Sequence, residues 1–351
     1  MVAQGRRRVT LSDVAERAGL SVMTASYAFN DPGRVSDRSR ERVMRAAAEL
    51  GYQGANPWAR SLRTGRSHSL GVVFGEHLAY AFRDPQAAEF LSGVSGVCTE
   101  NDLGLTLIPT TGGPGDRDRV AAAAVDGYVF WTTSDDDPSL AAAVGTGRPC
   151  AIQGGPDVDG MTRIGPDDRR AAGELGALGL VGSRSPLIVS FPLDRSRTAW
   201  QGDGLPLEQA TMPVTRERLR GFGDALTVAG FDPSAVPVVA LARNGREEAR
   251  RAVSAFLADG RPADSFLCMS DETAIGALEA AAEAGLRVPD DLSVVGWDDG
   301  PRAAELGLTS LHQSMLDQGR ACGQIAAGLT PTDAGSGAGW HVVARGTTRS
   351  R

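Results

Sequence analysis

The chain has 351 residues, length for two or three domains, and with 42% hydrophobic and 23% charged residues it can bury a sizeable core, which excludes a disordered tail or a collagen-like fibre. Its formal charge of −7 comes from 36 basic and 43 acidic residues, and every basic one is an arginine. Without lysine there is no Schiff-base chemistry, no phosphate-cradling loop ending in Gly-Lys-Ser/Thr and no kinase of the ordinary kind.

The charge is unevenly placed. Up to Arg66 there are 12 arginines and 6 acids, a net +6; the remainder has 24 and 37, a net −13. A small cationic segment on a large anionic body confines any polyanion contact to the first 66 residues. In that segment Thr10 reads as a helix N-cap with an acid three residues on, Asp13, opening a helix through Ala18. Gly19 ends it, and Ser21 caps a second helix reaching Phe29. Asn30-Asp31-Pro32-Gly33 is a turn. Ser36 caps a third helix with the stripe Val43, Ala46, Ala47 and Leu50, stopped by Gly51. Helix, short glycine-containing turn, helix is the pattern whose second member enters the DNA major groove; a plain three-helix bundle shares it.

After Ser69 apolar runs alternate with helical stretches. Ser69–Phe74, Leu103–Ile108, Gly127–Trp131 and Pro149–Ile152 read as buried strands; Leu187–Phe191, Val236–Leu241, Ser265–Met269 and Leu292–Trp297 form a second set, with a last short strand at His341–Ala344. Helices are expected near Asp84–Glu100, Asp116–Ala123, Pro138–Val144, Arg216–Ala229, Arg246–Ala258, Asp271–Ala284 and Ser314–Gly328. Repeated strand–helix units predict parallel sheets with helices on both faces, two sets predict two lobes, and ligands bind beyond the carboxyl ends of such strands. Asp194–Pro213 reads as a long loop and Asp333–Gly339 as a connector. Asp167 and Asp168 read as caps of a helix start. Cys98, Cys150, Cys268 and Cys322 are far apart, fitting neither a zinc ribbon nor a disulfide framework and suiting a reducing cytoplasm; His68, His77, His312 and His341 are scattered, so no metal or cofactor is implied. No signal peptide, membrane span or catalytic constellation is read.

The string from Val9 to Asn30, with Val35–Val43 and Asn56-Pro-Trp-Ala-Arg-Ser-Leu-Arg-Thr-Gly65, closely resembles the head of the LacI/GalR family of bacterial repressors. The resemblance implies that Val22, Met23 and Tyr27 face bases, that Thr24 and Ser26 face phosphates, that Ser21 caps and Asn30 closes the reading helix, and that Thr10, Leu11 and Arg34 complete the DNA-facing set. Met23 and Tyr27 stand where many members carry Gln or Lys and then Arg, so a bidentate guanine contact is missing. Asn56 to Gly65 resembles the family's hinge helix, with Asn56 and Ala59 against DNA and Leu62 at the position of the leucine that wedges into the minor groove. Too short to be stable alone, this segment is expected to order on DNA with a second copy.

The body resembles the family's periplasmic-binding-protein-like core, notably at Val125-Asp-Gly127, Met269-Ser-Asp-Glu272, Val288–Asp299 and Val343–Thr347. By position Arg218 and Asp298 match the principal effector contacts, a pair that can hold the hydroxyls of a sugar-like molecule; a structural ion pair is the competing reading. Ser270 and Gln313 match secondary polar contacts, and Gly75 a position that is often polar. Tyr80, Phe82, Trp131 and Phe191 lie near strand ends, where they stack on a ring or are ordinary aromatics. The expected organisation is a headpiece at 1–54, a hinge at 55–68 and a two-lobed core at 69–351, its N-terminal lobe made of about 69–182 and 313–330 and its C-terminal lobe of 183–312 and 331–351. Relatives dimerise through the helix at Ser92–Asn101 and the surface after Phe74, and their operators are near-palindromic. The expectation is a homodimeric, cytoplasmic repressor that binds double-stranded DNA under control of a small polar effector. The alternatives are an effector-insensitive or partner-controlled DNA-binding regulator, and a solute-binding protein or α/β enzyme with no DNA role.

Overall fold

The computed structural model describes residues 9–52, 65–75, 79–331 and 339–350, and the chain divides into two units, Met1–Ser67 and His68–Arg351. In the first unit α1 (Leu11–Ala18) begins with a reciprocal cap, in which Thr10 Oγ1 accepts from the Asp13 amide and the Asp13 carboxylate accepts from the Thr10 amide at 2.8 Å. A cap of this kind is worth about 1 kcal/mol. Gly19, at φ 64°, turns the chain out of α1, and Ser21 and Ser36 cap α2 (Val22–Asn30) and α3 (Asp37–Leu50). The core between them is Val14, Ala15, Ala18, Ala25, Ala28, Val43, Ala46 and Ala47. Six of these eight are alanine, which lets the three helices approach closely. Arg42 donates to the Ala18 carbonyl at 2.6 Å, satisfying an orphan carbonyl at the end of α1.

The second unit carries two sheets. The first is wholly parallel in the order β2-β1-β3-β4-β5, built from β1 (Ser69–Phe74), β2 (Gly104–Ile108), β3 (Gly127–Trp131), β4 (Cys150–Gln153) and β5 (Thr162–Ile164). Its helices are α4 (Pro85–Glu100), α5 (Gly115–Ala121) and α6 (Pro138–Gly145). The second sheet contains β6 (Pro186–Ser190), β7 (Trp200–Asp203), β8 (Pro237–Ala240), β9 (Ser265–Cys268), β10 (Ser293–Asp298), β11 (Thr309–Gln313) and β12 (Trp340–Val343). Its order is β12-β11-β10-β9-β6-β8-β7, parallel except for the two outer strands. Helices α7 (Asp168–Gly179), α8 (Pro213–Val228), α9 (Arg246–Ala258), α10 (Asp271–Glu283) and α11 (Pro301–Glu305) belong to this lobe. Next α12 (Met315–Ala326) returns to the first sheet and packs on α4. That packing requires glycine at the crossing: a Cβ on Gly93 would lie 2.1 Å from the Leu316 carbonyl oxygen, and one on Gly319 2.1 Å from that of Phe90.

Three expectations are corrected. The stretch Asp194–Pro213 is not all loop, because Trp200–Asp203 forms edge strand β7; pairing on one side only, it has no continuous apolar run to announce it. Helix α7, placed in the N-terminal lobe by a boundary at 182, buries Ala171, Ala172 and Leu175 with Ile188, Phe222 and Trp297 of the other lobe. The chain therefore crosses between lobes just after β5. Asp167 caps α7 as expected, accepting from the Arg170 amide, but Asp168 is buried in an ion pair described below. Among the described residues no helix is long and apolar enough to cross a membrane.

Candidate functional site

In the first unit, α2 presents its N-terminal residues outward. Val22 is 48% and Met23 66% exposed, two adjacent apolar side chains left in solvent. Ser21 Oγ accepts from the Thr24 amide at 3.0 Å and bonds Thr24 Oγ1 at 2.8 Å. Ser26 is tied to Asn30, whose side-chain amide donates to the Ser26 carbonyl at 3.0 Å. Arg34 pairs with Asp31 at 2.9 Å and lies over the Tyr27 ring, 5.5 Å from its centroid, so the tyrosine is steadied at the far end of the helix. Thr10 serves the α1 cap, and Leu11 packs against the helical core. Asn56, Ala59 and Leu62 lie outside the described residues.

In the second unit a cleft lies between the two sheets. It is lined from one side by Asp84, Gln86, Trp131, Thr132, Gln153 and Met315, and from the other by Phe191, Arg197, Met212, Arg218, Asn244, Asp298 and Gln313. Arg218 is almost sealed from solvent. Its Nε donates to Asp168 Oδ1 at 2.8 Å and Nη1 to the Met269 carbonyl at 2.6 Å, while the guanidinium lies 3.7 Å from the Trp297 ring centroid and 5.3 Å from that of Phe191. Asp298 ends β10 at φ 112°, and Asp299 follows at φ 54°. Two non-glycine residues in the left-handed region are a strained turn, which concentrates at binding sites. Burial, and after it the Asp271 carboxylate, push the Asp298 carboxyl well above the usual range, against Arg218 and a hydrogen bond from Gln313. Asp271 itself is raised to about 7, chiefly by burial. Two polar atoms of lining residues, Gln86 Oε1 and Thr132 Oγ1, are buried without a hydrogen-bond partner among the described residues.

The lobes are joined across this cleft. The Asp135 amide donates to the Thr211 carbonyl at 2.9 Å and its carboxylate pairs with Arg216. Arg195 donates to the Gly112 carbonyl at 2.9 Å, and Asn244 donates to Asp84 at 3.0 Å.

Residues 10–54 match the bacterial regulatory proteins of the lacI family, and residues 205–348 the periplasmic binding protein-like domain. A helix-turn-helix transcriptional regulator of Mycobacterium tuberculosis is 36% identical over 326 residues, covering 91% of this chain and 90% of that protein. The chain belongs to the LacI family. Two solved structures share the fold: the regulator CelR in complex with cellobiose (24% identity, TM-score 0.64, 97% of this chain and 100% of that one), and the Lac repressor dimer bound to operator and an anti-inducer (23% identity, TM-score 0.73, 98% and 100%).

In this LacI-family regulator the structure brings Trp131, Phe191, Arg218, Asp298 and Gln313 to one cleft. It does not bring Gly75, Phe82 or Ser270 to the lining. Gly75 is packed against Thr132 and Thr133, where a Cβ would lie 2.6 Å from the Thr132 carbonyl oxygen. Phe82 is 68% exposed, and the side chain of Tyr80 lies outside the described residues. Ser270 caps α10 and donates to Asn244 Oδ1 at 2.6 Å, so it orients a lining residue instead of joining the lining. Sequence reasoning missed Asp84, Gln86, Thr132, Gln153, Arg197 and Asn244. Asp84 carries a local signal, an Asp-Pro helix start, but nothing local shows that its cap faces Asn244.

Proposed function

We propose that this regulator is a repressor whose operator affinity is set by a small polyhydroxylated effector held between the lobes. The observation that carries the reading is the polar set in the cleft: Arg218 and Asp298 line it together with Gln86 and Thr132, whose Oε1 and Oγ1 have no hydrogen-bond partner among the described residues. Hydroxyl groups both donate and accept, so one polyol can serve a guanidinium, a carboxylate, an amide oxygen and a threonine hydroxyl at once. Trp131 and Phe191 add flat apolar surface for a ring. The cellobiose complex of CelR is a neighbouring case of a sugar on this fold.

On the DNA side, Val22, Met23 and Tyr27 read bases, Thr24 and Ser26 hold phosphates, and Leu62 in the hinge wedges into the minor groove. The active form is a homodimer on a near-palindromic operator, as the Lac repressor is a dimer on its operator. Effector binding changes lobe closure and thereby hinge ordering, a two-state coupling of about 1–3 kcal/mol. Fragments selected from random duplex DNA by the full chain, then challenged with a panel of sugars and cyclitols, test this. Release or tightening by a polyol supports the reading; a panel that leaves operator binding unchanged while the Arg218→Ala variant is equally unresponsive to every cell metabolite extract overturns the effector half.

A further inference from the structure

The wall of the cleft continues inward as a file of three glutamine amides. Gln313 Nε2 donates to Asp298 Oδ1 at 2.8 Å, Gln318 Nε2 donates to Gln313 Oε1 at 3.1 Å, and Gln153 Nε2 donates to Gln318 Oε1 at 3.1 Å. All three glutamines are buried, Gln318 completely. Asp298 and Gln313 end neighbouring strands β10 and β11 of the C-terminal lobe, whereas Gln153 ends β4 of the N-terminal lobe and Gln318 lies on α12, which packs there. The file therefore crosses the lobe boundary inside the protein, separate from the contacts through Arg216 and Asn244.

A primary amide has a donor end and an acceptor end, so amides bonded in series all point the same way. An ionised carboxylate only accepts, which matches the sense of the file: every amide donates toward Asp298. If Asp298 Oδ1 instead carries a proton and donates, Gln313 must offer its oxygen, Gln318 must turn to match, and Gln153 after it. A single amide left in the old orientation would face oxygen with oxygen, so the three reorient together.

We propose that Gln318 is a positioning residue through which the hydrogen-bonding state of Asp298 in one lobe is passed to Gln153 in the other. Its regulatory meaning rests on the cleft being the effector site, since an effector hydroxyl at Asp298 would bias the same file; the relay itself does not. The charged groups that face Asp298 are Arg218 from α8, Asp271 from the first turn of α10 and Asp84 at the start of α4. With burial, the Asp271 and Asp84 carboxylates hold the Asp298 carboxyl above the usual carboxylate range, against Arg218.

The test uses the full chain labelled with nitrogen-15 in its glutamine side chains, without effector, titrated from about pH 4 to about pH 9. The expected result is that the side-chain amides of Gln313, Gln318 and Gln153 shift with one shared midpoint, and that Asp298→Asn removes that midpoint from all three. In Gln318→Met, Gln313 keeps its titration and Gln153 loses it; in Gln153→Met, Gln313 and Gln318 still titrate together. A Gln153 resonance that ignores the midpoint in the unaltered protein, or that keeps it in Gln318→Met, overturns the relay. If Gln318→Met does not fold, the comparison of the unaltered protein with Asp298→Asn decides alone. A relay that titrates in a protein no polyol can move from DNA would sink the effector reading and leave the relay standing, and the converse pattern would sink only the relay.

Discussion

Arg218 and Asp168 form an ion pair at 2.8 Å in which both side chains are about 5% exposed or less. The pair joins α8 to the first turn of α7, and its two members are not equivalent. Arginine stays charged under any condition a protein survives, whereas burial already raises the Asp168 carboxyl and a proton can neutralise it.

Removing either partner therefore has unequal consequences. Asp168→Asn leaves a buried guanidinium without its ion-pair partner and is expected to cost roughly 3–5 kcal/mol. Arg218→Met leaves a carboxyl that protonates, and its cost shrinks as pH is lowered. Urea unfolding at neutral and mildly acidic pH measures both; equal losses at both pH values would show that the two partners are not unequal in this way.

Asp271 accepts hydrogen bonds from Ser310 Oγ at 2.6 Å and from the Gly300 amide at 2.8 Å, yet burial raises its carboxyl to about 7. Because the folded-state value lies above the unfolded one, its favourable contribution is complete below about pH 4 and is lost as pH climbs through about 7. The stability of Asp271→Asn relative to the unaltered protein is expected to rise steadily between those limits. Thermal melts across the range check it, and a difference that is flat or falls with pH contradicts the sign.

Asp135 holds the lobes together through the Thr211 carbonyl and Arg216. The Arg216 pair is partly solvated, so Arg216→Ala should change global stability by less than about 1 kcal/mol. Its local effect is larger in proportion. Hydrogen exchange at the Asp135 amide is expected to speed up by about fivefold, consistent with that energy, while exchange in β9 and β10 is unchanged.

Met23 is two-thirds exposed and contributes little to the headpiece core. Met23→Ala should leave the melting of the headpiece unchanged and weaken specific operator binding by about tenfold, roughly 1.4 kcal/mol. If Met23 packs on a thymine methyl, replacing that thymine with uracil weakens the unaltered protein similarly and leaves Met23→Ala unaffected. Competition binding with the two duplexes separates this from a loss of general DNA affinity.

The headpiece was legible from the chain because its signals are local. Thr10, Ser21 and Ser36 cap helices a few residues away, and Gly19 and Gly51 end them. Strands β1, β3 and β6 were legible because burial on both faces makes them continuous apolar runs. By contrast β5 is a three-residue edge and β7 pairs on one side, so neither has such a run.

The family resemblance named Arg218, Asp298 and Gln313, which lie at the end of a strand or on the face of a helix that opens on the cleft. What each of them bonds to depended on the tertiary structure. Asp168 lies 50 residues from Arg218, Gln153 165 residues from Gln318, and Asn244 160 residues from Asp84. Periodicity, caps and charge are properties of neighbours along the chain and survive in the sequence as written; hydrogen-bond direction and burial of a charge exist only once segments far apart in sequence are packed against one another.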